Sequence, residues 1–358
     1  MIEEGSAEPD QARLLIWGAG AIGGCLGAYL IRAGHDVTFV DVAAEHVAAI
    51  RQGGLKIVGP IEEFVVRAAA FTPQELEGVW DTILLCTKAQ DTQAAGEALA
   101  PHLAPALETG VGGAVVSVQN GLNPLVLNEV VGKERVLGSF VNFGADYLEP
   151  GTVTYSGRGA VVIGEQGGQI TPRARRLHAL LRQFEPDAVL SPNIMGYLWS
   201  KLGYGALLFA TALTNDGIAD ALERQEDREL YIELGREVLR VAFAAGVTPE
   251  AFNGFDPSAF VPGASTAQAQ ISMDEMVVFN RKSAKTHSGI WRDLAVRRRR
   301  TEVDAQLGWV VHFGQVHGVR TPITARLIEL IHDLEDGRRE LGRDNLGELR
   351  PLLLQAQA

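Results

Sequence analysis

A chain of 358 residues is long for a single domain and comfortable for two. With 46% hydrophobic and 21% charged residues, it has the composition of a globular protein with a sizeable core. Its formal net charge of −12 argues against a nucleic-acid partner, because phosphate backbones are bound by basic surfaces.

The first twelve residues, MIEEGSAEPDQA, are polar and acidic and lack the basic and apolar regions of a secretory signal, so residues 1–12 are expected to form a flexible extension. RLLIWGAG (13–20) is an apolar, strand-like run ending in glycines, and AIGGCLGAYLIRAG (21–34) has helical spacing with a glycine stop. The alternation continues through HDVTFVD (35–41), VAAEHVAAIRQGG (42–54), short strands near 55–58 and 63–67, the buried strand WDTILLCTKA (80–89), a helix opening at Asp91, and GGAVVSVQNG (112–121). Strand alternating with helix implies a parallel sheet with right-handed crossovers. Residues 135–164 are rich in β-branched residues and Gly-containing turns, which predicts two or three strands extending that sheet, partly antiparallel. A helix at 172–184 and a short strand near 187–190 follow. From about 193 the pattern is helical, with clear segments at 231–246, 301–318 and 322–337. The fold class is therefore α/β. A Rossmann-type doubly wound sheet domain (13–192) precedes an all-helical C-terminal domain (193–358) expected to serve substrate binding and dimerisation.

GAGAIGG places Gly18, Gly20 and Gly23 in GxGxxG spacing after an apolar strand and at the opening of a helix. Gly18 permits a tight turn, Gly20 admits a pyrophosphate to the backbone, and Gly23 lets helix and strand pack closely. The N–H groups of Ala21 and Ile22, at the helix N-terminus, face the anion. Asp41 stands eighteen residues past Gly23 at the end of the second strand, where a carboxylate accepts hydrogen bonds from the adenosine ribose. It repels a 2′-phosphate, and Val42, Ala43 and Ala44 supply no cation to hold one, so NAD(H) is favoured. Two later strand ends border the same crevice, one carrying Lys88 and the other Gln119, Asn120 and Gly121.

Lys201 is the only charged residue between Ala188 and Asn215, inside the apolar stretch YLWSKLGYGALLFATAL. A membrane span is disfavoured by this mid-segment lysine and by Ser191-Pro192-Asn193 at its start. Lysine is almost never buried unpaired, so it either snorkels to water or a carboxylate, or it lines a cleft between the domains. A desolvated lysine gives up its proton more readily and can serve as general acid to a reduced carbonyl oxygen.

These segments together resemble the ketopantoate reductase (2-dehydropantoate 2-reductase) family. The resemblance rests on GAGAIGG, TKAQDT after the strand near 80–89, VQNGLN after the next, WSKL opening the helical region, and HSGIWRDLAVRRRRTEVD (287–304). It implies an active site between the two domains, with Lys201 as catalytic lysine, Asn120 near nicotinamide and substrate, and Lys88 on the cofactor side. It further implies that Ser288 and Asp293 hold the substrate and that Glu302 contacts cofactor and lysine. NADP(H) is possible on this resemblance, since the family typically prefers NADPH.

Two positions depart from the family pattern. Gly205 and Phe209 stand where the family shows asparagines one and two turns after the lysine, which favours a different, bulkier ketone, hydroxy acid or imine as substrate. Residues 252–286, with GFDPSAFVPGAST, form either a rim of the pocket or a surface loop. His287 reads as a substrate contact or second proton donor, or as a merely packed histidine. RRRR (297–300), set on a helix, points all round and makes no basic face, and some of these arginines are expected to pair with Asp293, Glu302 or Asp304. Cys25 and Cys86 have no metal-ligand spacing, His312 and His317 lack a partner carboxylate, and no GxSxG elbow occurs, so no metal is expected. A cytoplasmic homodimer acting on a small molecule is expected. A dinucleotide-binding protein without catalysis is the reading from a different class.

Overall fold

The structure is a computed structural model that describes residues 13–105, 112–282 and 286–356. The expected extension at 1–12 lies outside the described residues, as do residues 106–111, 283–285 and 357–358.

The glycine-terminated run forms β1 (Arg13–Trp17) and leads into α1 (Ala21–Arg32); β2 (Asp36–Val40) and α2 (Ala44–Gly53) follow. β3 (Leu55–Val58), β4 (Phe64–Val66) and β5 (Ala69–Phe71) are short, the last unforeseen from sequence. β6 (Thr82–Leu85), α3 (Thr92–Leu99), β7 (Ala114–Ser117) and α4 (Asn123–Val131) continue the alternation. Four strands then occupy the β-rich stretch, β8 (Val136–Val141), β9 (Gly144–Glu149), β10 (Thr152–Gly157) and β11 (Val161–Glu165), before α5 (Pro172–Leu181) and β12 (Val189–Leu190).

The main sheet has eight strands in the order β12-β11-β8-β7-β6-β1-β2-β5. All its pairs are parallel except β8 with β11. The chain runs outward from β1 through β2 to β5, then returns to β6 on the other side of β1. The direction reverses there, so the carboxyl ends of β1 and β6 flank an open crevice, the usual ligand position in such sheets. The expectation that residues 135–164 all extend this sheet is corrected. β9 and β10 instead join β3 and β4 in a second, four-stranded sheet, order β4-β3-β10-β9. β10 alternates buried Val153 and Tyr155 with partly exposed positions, and β9 has no buried residue, which suits a sheet with one solvated face.

The helical portion comprises α6 (Ile194–Thr211), α7 (Ile218–Glu223), α8 (Arg228–Ala244), α9 (Thr266–Arg281), the short α10 (Gly289–Trp291), α11 (Val303–His317), α12 (Pro322–Glu335) and the short α13 (Asp344–Gly347) and α14 (Leu353–Ala356). Asn193 caps α6, its side chain accepting from the Gly196 N–H at 3.2 Å. Apolar clusters cover both faces of the main sheet. A third fills the helical portion and takes in Phe140 of β8 and Val162 of β11, so α6 packs directly on the sheet. Among the described residues no helix is long and apolar enough to cross a membrane.

Residues 252–260, the first part of the long insertion at 252–286, pack into the helical core. Phe252, Phe255 and Phe260 are buried, and Phe255 packs on α6 at Gly203, where an added Cβ would lie 3.1 Å from its ring. Phe252 of the same segment packs edge-on against the Phe140 ring, centroids 4.9 Å apart, and the Lys201 ammonium rests on that ring, 5.1 Å from its centroid.

Candidate active site

The glycine turn has the geometry its spacing predicts. Gly18 adopts φ +98°, and a Cβ there would meet the Cys86 carbonyl carbon and the Thr87 nitrogen, each at 2.9 Å. Any side chain would be strained and would separate β1 from the end of β6. A Cβ on Gly23 would overlap the Gly18 carbonyl. Gly20, by contrast, opens on free space, with nothing within 4 Å of an added Cβ. That opening, together with the Ala21 and Ile22 N–H groups of the first helical turn, fits the pyrophosphate of a dinucleotide.

Asp41 stands at the end of β2, half-buried. Its Oδ2 accepts the Ala19 N–H and its Oδ1 the Ala43 N–H, both at 2.9 Å. Each oxygen keeps a second lone pair, so the carboxylate can still receive ribose hydroxyls while it fixes the turn.

Four predicted residues from distant parts of the chain meet at the ends of β6 and β7. Lys88 Nζ lies 3.2 Å from Glu302 Oε2 and 3.4 Å from Asp293 Oδ2. Asn120 Nδ2 donates to the same Glu302 Oε2 at 3.4 Å, and the Ala89 N–H donates to Glu302 Oε1 at 2.7 Å. Glu302 therefore ties the start of α11 to both strand ends. The approach is close because Gly121, at φ +84°, has no side chain: a Cβ there would lie 2.9 Å from the Ala305 carbonyl oxygen. Below this turn Gln119 is buried and donates to Thr92 Oγ1 at 2.8 Å, so the strand end is held by its own polar network. The Asp91 carboxyl beside it is raised by burial first and then by the charge of Glu302, with Lys88 opposing.

Lys201 is half-buried on α6. Its ammonium donates to the Val141 carbonyl and rests 5.1 Å from the centroid of the Phe140 ring. Four residues on, Gly205 faces open space, where an added Cβ would meet only Gln306 Oε1, at 3.6 Å. Gln306 lies one turn after Glu302 and also borders Gly121, so it joins the lysine helix to the Asn120 turn. Sequence reasoning missed Gln306; its i,i+4 offset from Glu302 on α11 was the available signal.

Other predicted residues sit elsewhere or are engaged. Phe209 is fully buried in the helical core and presents no surface to the cleft, so its expected place in the pocket wall is not where the ring lies. The reason is helical phase: it points 80° away from Lys201 and into the packed bundle. Ser288 is buried and caps α10, its Oγ accepting the Trp291 N–H at 3.1 Å. Asp293 is buried and also accepts from Arg297 and Arg299, at 3.0 and 2.9 Å. His287 packs its ring on Trp291, centroids 4.0 Å apart. The arginine run is not helical, contrary to expectation. It leaves a π-helical turn at Arg292–Val296, and Arg298 takes the left-handed φ of 48°. Arg300 turns away to Glu335 and Asp336. Cys25 is buried and Cys86 half-buried, both as free thiols, and burial pushes the Cys25 thiol up to about 12.

Comparisons with known proteins bear on the family and the fold. The family model described as Ketopantoate reductase PanE/ApbA matches residues 14–168, and its C-terminal counterpart matches residues 193–335. A 2-dehydropantoate 2-reductase of Halobacterium salinarum is 27% identical over 89% of this chain and 97% of its own. Another from Archaeoglobus fulgidus is 27% identical over 91% of this chain and 98% of its own. Among solved structures, a PanE/ApbA family ketopantoate reductase from Ralstonia eutropha superposes with a TM-score of 0.74 at 26% identity, covering 92% of this chain and all of that one. A D-mandelate dehydrogenase bound to NADH and anilino(oxo)acetate has the same fold, with a TM-score of 0.77 at 22% identity over 91% of this chain and 98% of its own. The chain belongs to the ketopantoate reductase family, and with it to the nicotinamide-dependent oxidoreductases.

Proposed function

We propose that the protein moves hydride between NAD(H) and a small 2-keto or 2-hydroxy acid, with Lys201 as proton donor and acceptor. The observation that carries this reading is the convergence of Lys88 and Asn120 on one carboxylate oxygen of Glu302 at the carboxyl ends of β6 and β7. That point lies beside the glycine turn, where a dinucleotide's nicotinamide end would reach. Gly18, Gly20, Ala21, Ile22 and Gly23 would hold the pyrophosphate, and Asp41 the adenosine ribose. A bound nicotinamide supplies or takes up the hydride.

The remaining work falls to side chains. Asn120 presents an amide donor at the strand end. Glu302 orients that amide and holds Lys88 in place. Lys201 carries its proton on the facing helix and would deliver it to the oxygen of a reduced carbonyl, or receive it in the reverse direction. Asp41 favours NADH over NADPH, because a 2′-phosphate would meet a carboxylate and no cation.

A second reading concerns the substrate. Gly205 leaves room where a hydrogen-bonding side chain would otherwise stand, which supports an acid with a branched or aryl group in place of ketopantoate. The fold accommodates such a ligand in the D-mandelate dehydrogenase complex with anilino(oxo)acetate. The proposal includes a nucleotide domain at 13–192, a helical domain at 193–358 and a cytoplasmic homodimer. Light scattering tests the last of these in solution. A panel of 2-keto acids assayed with NADH and NADPH tests the function. Turnover of at least one acid, fastest with NADH, is expected. Tight NADH binding with no reduction of any acid would overturn the enzyme reading in favour of a binding protein.

A further inference from the structure

His46 is fully buried on α2, yet none of the chemistry above uses it. Its two ring nitrogens have opposite roles. The Gly151 N–H, in the turn between β9 and β10, donates to Nδ1 at 2.9 Å. Nδ1 must therefore be unprotonated, and the ring proton sits on Nε2. Nε2 lies 2.9 Å from the Ala19 carbonyl and donates to it. Ala19 is the residue between Gly18 and Gly20, and its N–H is already held by Asp41. Both backbone groups of the central residue of the glycine turn are thus clamped by side chains, one from the end of β2 and one from α2. Through His46 the turn is also fastened to the second sheet, because the Gly151 carbonyl accepts from Lys56 of β3 at 2.8 Å.

We infer that His46 is a positioning residue for the cofactor, holding the glycine turn open to a dinucleotide by bridging the Ala19 carbonyl to the Gly151 N–H. A side chain that cannot both donate and accept leaves one of the two buried bonds unmade, and the clamp on Ala19 loosens. The inference rests on the dinucleotide reading and goes beyond it in making cofactor affinity depend on a buried bridge between the glycine turn and the second sheet. The groups around the ring are few. Asp41 holds the same peptide, Glu45 precedes His46 on α2, and the Tyr147 ring of β9 meets the imidazole edge-on, centroids 5.1 Å apart.

The test measures NADH dissociation constants by fluorescence, and kcat at saturating NADH, in wild type and two variants. His46→Gln offers a donor and an acceptor, so it should keep the affinity within about threefold of wild type. His46→Leu should weaken NADH roughly tenfold or more, with kcat at saturating NADH little changed. Wild-type affinity in a folded His46→Leu, or the same loss of affinity in His46→Gln as in His46→Leu, overturns the inference about His46 alone. Failure of wild type to bind either NADH or NADPH overturns the dinucleotide reading and this inference with it.

Discussion

Glu302 reaches across 214 residues of sequence to accept a hydrogen bond from Lys88, with Nζ and Oε2 3.2 Å apart. The lysine is partly exposed and the carboxylate nearly covered, so the pair is a positioning device more than a source of stability. Its removal should register in function. Lys88→Met leaves Glu302 without its cation at the cleft and should raise the KM for cofactor about tenfold to a hundredfold, the range for loss of a hydrogen bond to a charged group. Steady-state kinetics with varied NADH check this, and a KM within twofold of wild type would remove Lys88 from the cofactor site.

The clamp on Ala19 predicts a second result. Asp41→Asn retains an acceptor for one backbone N–H but loses the charge that repels a 2′-phosphate. Wild type should prefer NADH over NADPH about tenfold or more, and the variant should lose most of that preference. Titration with both cofactors measures the ratio. A wild-type preference for NADPH would contradict the role given to Asp41.

At Gly205 the prediction concerns specificity. An added side chain has room, meeting only Gln306 Oε1 at 3.6 Å, so Gly205→Asn should fold normally. It narrows the space beside Lys201 and returns an amide to it. The ratio of kcat/KM for ketopantoate over an aryl 2-keto acid should rise about tenfold or more. An unchanged ratio would place Gly205 outside the substrate pocket.

Stability should respond far from the cleft. Glu237 is fully buried on α8 and accepts the N–H groups of Ile323 and Thr324, at 2.9 and 2.8 Å, capping α12. Glu237→Ala orphans two buried donors and should cost about 2–5 kcal/mol, with turnover per folded molecule preserved. Burial, the largest influence, raises this carboxyl above the ordinary glutamate value. The folded state then binds the proton more tightly than the unfolded chain. Its stability contribution is fully present below the unfolded pKa and is lost as pH rises through the folded one. Denaturant titrations should show wild type gaining on Glu237→Gln as pH falls from about 7.5 to about 4.5. A difference that shrinks toward acid would contradict the raised carboxyl.

The readable parts of the chain were those where local chemistry dictates geometry. GxGxxG after an apolar run fixes a turn by steric necessity at Gly18 and Gly23, and the structure places them as spacing requires. The parallel alternation was legible for the same reason, as was the helical character after residue 193. Partners brought together by tertiary packing were not. The segregation of β9 and β10 into a separate sheet depends on pairing with β3, nearly a hundred residues earlier, which no local pattern encodes. Phe209 lies buried in the helical core, 80° round the helix from Lys201, a phase that counting turns does not show. His46 looked like one helical residue among many, since its meaning lies in Ala19 and Gly151, 27 and 105 residues away.

The central claim is that Lys201 carries the proton of the reaction. Single-turnover oxidation of bound NADH by a 2-keto acid, measured in Lys201→Ala alongside NADH binding, tests it most directly. The expected result is binding within about threefold of wild type and hydride transfer slowed about a hundredfold to ten-thousandfold, the usual span for loss of a general acid. Hydride transfer at the wild-type rate in a variant that binds NADH normally would contradict it.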